Sequence, residues 1–194
     1  MKPQELRVSL GLPFGLGSIS GTWGPDDAER RAAWEMYVEL VTRISVEPLG
    51  PEEGLLRETL GSLYSLFGST RDILRRYGPE VAIPKRGHEL SVGAIAVTVL
   101  NRALRPLLAR WHPELGHYES TRPADVSPLE HERNWGKAEE LRAAVEELRR
   151  TLVAYAELLG TVAGVPSLGE GVGGRHAHQG LHGFRSNPVG GTGL

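Results

Sequence analysis

Cysteine is absent from the 194-residue chain. That excludes disulfides, thiolate metal sites and a thiol nucleophile, and it fits a reducing cytoplasm, the expected location. Lysine is scarce, confined to Lys2, Lys85 and Lys137. The arginine bias, with abundant Ala, Gly and Leu, points to a GC-rich bacterial coding sequence. Neither sign of charge is in large excess: the net charge is -2 with 24% charged residues. There is no broad positive field to hold a phosphate backbone, so nucleic acid is disfavoured as a partner. No targeting segment is evident, because the apolar stretch from Val8 to Leu12 is too short and broken for a signal core. The longest apolar run, Val92 to Leu100, is about half of the ~20 residues that span a bilayer, and Arg102 and Arg105 close it off. No membrane insertion is expected. No internal repeat is visible either.

What the chain does have is a stretch from Leu90 to Trp111 whose first half is apolar nearly all round. Such a helix has no side to give to water and is expected at the centre of the fold. Three other segments carry one apolar stripe each. The first, residues 25–46, starts at Gly24-Pro25-Asp26-Asp27, where proline suits the first turn and carboxylates favour the positive helix end. Its expected buried face is Trp34, Tyr37, Val38, Val41 and Ile44, with Glu29 and Arg30 on the other side. The second, residues 52–77, carries the stripe Leu55, Leu56, Leu60, Leu63, Leu66, Phe67, Ile73 and Leu74 and stops at Gly78-Pro79. The third, residues 128–163, opens with Ser127-Pro128-Leu129-Glu130, the capping-box arrangement, and holds a heptad-like stripe from Leu141 to Val162. The central helix is set at residues 91–111, with Pro106 expected to kink or break it.

Residues 1–24 read as an irregular arm punctuated by glycine. Alternation at Val8, Leu10 and Leu12 leaves a short strand open. The spacing of Gly15, Gly17 and Gly21 is not that of a dinucleotide loop. Residues 166–194, rich in Gly, Ser and His, read as a disordered tail. Long helices and short turns together imply an all-α protein, an antiparallel four-helix bundle over residues 25–165.

Catalytic signals are weak. Glu114-x-x-His117 matches the ligand spacing of helical di-metal sites, but no second copy exists, and Pro113 and Gly116 disturb the display. His131-Glu132 is not a zinc-protease motif, since Trp135 stands where the second histidine belongs. Glu114, His117 and His131 are therefore the only metal candidates, and solvated residues at a helix junction are the competing reading. The tail histidines His176, His178 and His182 suit adventitious metal binding. No cofactor is indicated, and no serine sits in a nucleophile elbow.

Arginines offer more. Arg71, Arg75 and Arg76 cluster at the end of the second helix, where cations complement the helix dipole. Arg102, Arg105 and Arg110 lie on the apolar helix, which cannot bury an unpaired guanidinium cheaply. They must pair with carboxylates (Glu39, Glu58 and Glu139 are conceivable), reach out to water, or line an anion- or partner-binding groove. The expected function is a helical module that works through protein–protein contact or self-association, as an adaptor, regulator or subunit of a multi-protein system, and not as an enzyme. The alternative is a small-molecule or metal-binding bundle with a site beside the Pro106 kink.

Overall fold

The computed structural model describes residues 5–43 and 54–165. It holds two strands and five helices: β1 (Leu6–Gly11), β2 (Ser18–Trp23), α1 (Asp27–Val41), α2 (Leu56–Tyr77), α3 (Val92–Glu119), α4 (Pro128–Arg133) and α5 (Ala138–Ala163). The all-α four-helix-bundle expectation is thus wrong: the architecture is mixed, with a β-hairpin built into a helical body. The expected helical residues 44–46 and 52–53, and the tail at 166–194 with its three histidines, lie outside the described residues.

The N-terminal arm is an antiparallel hairpin in which Leu6 pairs with Trp23, Val8 with Gly21 and Leu10 with Ile19. Period-two alternation puts Val8, Leu10, Ile19 and Trp23 on one buried face. Alternation in β2 is hidden in the sequence because Gly21 takes the place of its middle apolar residue. A Cβ there would come within 2.8 Å of a Glu89 carboxylate oxygen. That carboxylate accepts from the Thr22 N–H at 3.0 Å, while the Thr22 carbonyl receives the N–H groups of Glu89 and Leu90. The strand is therefore fixed by the segment leading into α3, a contact no local pattern reveals. The hairpin packs on α5, where the Thr151 hydroxyl donates to the Gly11 carbonyl at 3.2 Å.

Helix α1 turns a different face inward from the one its large apolar residues suggest. Ala32, Ala33, Met36, Tyr37 and Leu40 are buried, whereas Trp34 is 40% exposed. Small residues let α1 approach α5 closely; a Cβ on Gly160 of α5 would sit 3.3 Å from the Tyr37 ring. Arg43, just past α1, clasps α2 through the Ser62 carbonyl at 3.2 Å and the Ser69 hydroxyl at 2.8 Å, and is ion-paired with Glu39.

Pro106 does not break α3. Its missing N–H leaves the Arg102 carbonyl without its helical donor. The chain absorbs this by widening to a π-helical stretch over Val99–Leu104, so that the Arg105 N–H reaches back to Leu100. The helix then continues past the expected end at 111, through Pro113, to Glu119. At 28 residues it is long and apolar enough to cross a membrane by length and composition, but half of its most apolar window is buried inside the fold. The expected single helix over 128–163 is two. Ser127 caps α4 by accepting from the Glu130 N–H at 3.2 Å, and the chain then breaks at Asn134–Lys137. The break lets Trp135 turn inward, edge-on to Trp111 at 6.0 Å and stacked on Tyr118 at 5.5 Å.

Two buried glutamates join these elements. Glu29, fully buried, is the third residue of α1 and closes a capping box with Asp26. Its Oε1 also accepts from the Trp23 indole N–H and from the Val92 N–H, both at 3.0 Å. One carboxylate thus ties the end of β2 to the N-termini of α1 and α3. Glu132 of α4, only 6% exposed, accepts the Leu56 N–H at 2.9 Å and so caps α2, whose own N-cap residue Leu55 has no side-chain acceptor. Arg142 stands 3.4 Å from its other oxygen.

Removing Glu29 strands two buried donors, each costing about 1–3 kcal/mol. Glu29→Ala is expected to lose ~3 kcal/mol or more in urea unfolding, and Glu29→Gln, which keeps an acceptor oxygen, less. Burial also raises the Glu29 carboxyl above its usual 4.5. The fold then holds this proton more tightly than the unfolded chain does. The proton-linked part of the Glu29 contribution therefore grows as pH falls from neutrality through the raised folded-state range towards 4.5 and is lost as pH rises, leaving the hydrogen bonds of the carboxylate. The stability difference between the wild-type chain and Glu29→Gln should widen in the wild type's favour over that descent; a flat or narrowing difference contradicts the assignment.

Candidate functional site

Helix α3 is covered by neighbours on every side but one. On the open side it runs antiparallel to α2, and the two leave a groove of two lobes, about 530 and 550 Å³, which meet at Phe67 and Arg71. Leu74, Val97 and Leu100 floor one lobe; Tyr64, Phe67 and Leu108 line the other. The residues that an all-round apolar helix cannot hide are here: Val97 is 45% exposed, and Tyr64 on the facing helix is 63% exposed. The expectation of a wholly buried central helix is corrected on this face. Its apolar residues outnumber the neighbours available to cover them.

The groove's polar lining consists of hydrogen-bond donors and neutral groups, with no carboxylate. Arg71 and Arg75 rise from α2 one turn apart, and Arg105 from α3 shares the second lobe with Arg71, while Arg75 lines the first. The Arg105 guanidinium lies 5.6 Å from the Phe67 ring centroid. Its Nε and Nη2 donate to the Asn101 side-chain oxygen at 3.0 and 2.8 Å, which fixes its position at the rim. Arg75 has only a 4.0 Å contact with Asp72 between two side chains that are both at least 70% exposed, an interaction of little strength.

The other expected arginines are structural. Arg76 is ion-paired with Glu35 of α1, which also accepts from the Tyr77 hydroxyl at 2.7 Å. Arg102 donates to the Leu16 carbonyl of the hairpin turn at 2.7 Å. Arg110 lies over the Trp111 ring at 4.4 Å and pairs with Glu140. None of these three meets Glu39, Glu58 or Glu139. Three of the six candidates therefore share one groove and three tie elements together.

The metal candidates do not converge. Glu114 is ion-paired with Lys137 at 2.6 Å, which holds its carboxyl below the usual range. His131 stacks on Tyr118 at 4.1 Å, and its Nε2 lies 3.0 Å from the Tyr118 carbonyl. His117 is exposed on α3. Among the described residues no group of three or more potential ligands is assembled. His112, at the end of the groove, contacts the Arg57 Nη1 through Nδ1 at 2.9 Å. A guanidinium only donates, so Nδ1 accepts and the ring proton sits on Nε2. That nitrogen lies near the Leu60 carbonyl without the geometry of a hydrogen bond. Burial and the Arg57 charge both push the imidazole's pKa down. Arg57 is itself held bidentate by Glu119.

Inside the body, the cavity between α1, α2, α3 and α5 measures about 20 Å³, room for little more than one water. It is lined by Met36, Leu66, Val99, Leu104 and Leu152, with the Tyr155 hydroxyl directed to the Met36 sulfur at 3.5 Å. That volume cannot admit a substrate. The sequence carried a signal for the groove, the charge-free stretch at 92–100 beside two arginine sets, but not for its location, since pairing α2 with α3 is a tertiary event. Glu29, expected on the outer side of α1, is instead fully buried, and the Asp26-x-x-Glu29 spacing is itself a capping-box signal, whereas no local signal marks the burial of Glu132. Comparison of the chain with family models, curated proteins and solved structures finds no match, so the groove is interpreted from its own chemistry.

Arg71 and Val97 line the groove from exposed positions and are not part of the buried core. Arg71→Glu is expected to change unfolding stability by no more than about 0.5 kcal/mol, and Val97→Asp by no more than about 1 kcal/mol. Arg43→Ala, which removes charged hydrogen bonds, should cost about 2 kcal/mol. Urea midpoints would check all three, and a large loss for Arg71→Glu would mark the groove as scaffold.

Proposed function

We propose that this chain is a helical module that acts through protein–protein contact, as an adaptor, regulator or subunit of a multi-protein system, and that the α2–α3 groove is its docking face. The observation that carries this reading is the open side of α3. Val97 belongs to the most apolar segment of the chain, yet it is 45% exposed in a surface groove, beside Leu100, which is only partly buried against the core. Contiguous exposed apolar surface with a polar rim is the common mark of an interaction site. The size of the inner cavity, about 20 Å³, supports it further, and the groove lining presents no carboxylate to act as base or metal ligand. The fold behind the groove is clamped by buried carboxylates, which suits a preformed binding face.

A photo-activated cross-linking residue placed at Val97 should join one partner protein in cells of the source organism, identified by mass spectrometry. The same residue at Ala154, on the exposed face of α5, should not. The purified partner should then bind the purified chain, and Arg71→Glu should weaken that binding. Equal adducts from both positions, or none from Val97, would overturn the proposal.

A further inference from the structure

The groove's charge and its supply of hydrogen-bonding groups specify what kind of segment it takes. Resting on the docking reading above, we propose that its occupant is a single amphipathic helix of a partner protein, about four turns long, whose apolar stripe is flanked by Asp or Glu.

Length comes first. Along α2 the lining runs from Tyr64 to Gly78, a span of about 21 Å at 1.5 Å per residue. That matches a helix of roughly 14 residues presenting apolar side chains at i, i+3, i+4 and i+7. Backbone bonding comes second. The walls are helices, whose backbone groups are largely paired internally, so they offer no strand edge. The only side-chain amide in the lining, Asn101, already accepts from Arg105. An extended segment laid here would bury a row of N–H groups against few acceptors, chiefly the Thr70 and Tyr64 hydroxyls, whereas a helix satisfies its own. Charge comes third. Arg71, Arg75 and Arg105 stand on both walls with no carboxylate lining the groove, so acids on both flanks of the incoming stripe find cations.

The chain's C-terminal residues fit poorly. Residues 166–194 carry Glu170 against Arg175 and Arg185, the wrong sign for this rim. On a second copy, the large exposed apolar residues among the described ones are Phe14, Trp34, Tyr64, Ile83 and Val97, which form no helical stripe outside the groove itself.

The test uses the full chain and three fluorescein-labelled, hydrocarbon-stapled 16-residue peptides. One has a leucine stripe flanked by Glu, one the same stripe flanked by Lys, and one the Glu composition with its leucines dispersed. In fluorescence polarisation the Glu-flanked peptide should bind about ten-fold or more tightly than the Lys-flanked one, and the dispersed peptide should not bind measurably. The triple variant Arg71→Glu, Arg75→Glu, Arg105→Glu, checked for folding by circular dichroism, should invert the preference. Val97→Asp should abolish binding of both striped peptides. Equal binding of the Glu and Lys peptides, or a preference the triple variant leaves unchanged, overturns the acidic-helix proposal. If Val97→Asp still abolishes binding in that case, the docking reading survives. Phosphatidylglycerol vesicles are the remaining arm: vesicle binding lost in the triple variant, with no binding of the Glu peptide, overturns the proposal in favour of an anionic membrane surface.

Discussion

A carboxylate taken out of water must be met by donors from the protein, and Glu29 is met by three. The Trp23 indole, the Val92 backbone and the Asp26 backbone belong to segments that come together only when the hairpin, α1 and α3 are all in place. The side chain therefore acts as a joint that rewards the complete arrangement over any partial one. Its position at the starts of two helices helps, because the unpaired N–H groups of a first turn favour negative charge. Glu132 repeats the device at the start of α2, reaching from a helix more than seventy residues further along the chain. Both carboxyls are raised by burial, which shows that this wiring is not free of desolvation cost.

With the ends fixed in this way, the middle of the fold becomes an exercise in covering α3. Its buried side packs Val92, Ile95, Ala96 and Val99 among neighbouring helices. Close approach is made possible by Gly93, where a Cβ would lie 3.0 Å from the backbone of Val81 and Ala82. The π-helical stretch before Pro106 changes the phase of the helix between its two halves, so that both halves contribute to one groove against α2. The hairpin, α1 and α5 occupy the other sides, and no described element remains to cover the last one. The groove is thus a consequence of how many apolar faces the chain makes and how few covers it has for them.

That same accounting explains why the arginines separate into two kinds. Arg76, Arg102 and Arg110 each find a partner from a different element and stitch the periphery. Arg71, Arg75 and Arg105 line the groove between α2 and α3, where among the described lining residues there is no carboxylate, and Arg75 has only the weak, exposed contact with Asp72. Equal in the sequence, they differ because antiparallel pairing of two helices places one set over a gap and the other over neighbours.

The local signals sufficed for a good deal. The glycine stop at Gly78, the cap at Ser127, the stripe of α2 and the apolar identity of α3 all follow from bonding within a few residues of each position. The hairpin partner strand, the inward face of α1, the break at Trp135 and the burial of Glu29 and Glu132 do not, because each is settled by residues distant in the chain. β2 holds its place by pairing with β1 and bonding to Glu89 and Leu90, and Trp135 turns inward because Trp111 and Tyr118 await it. The sequence alone determined where α1, α3 and α4 begin, to within two residues, and which segment is most averse to water; the tertiary structure decided which side of that segment stays open and which charges stand over it, since exposure is a property of neighbours and not of residues.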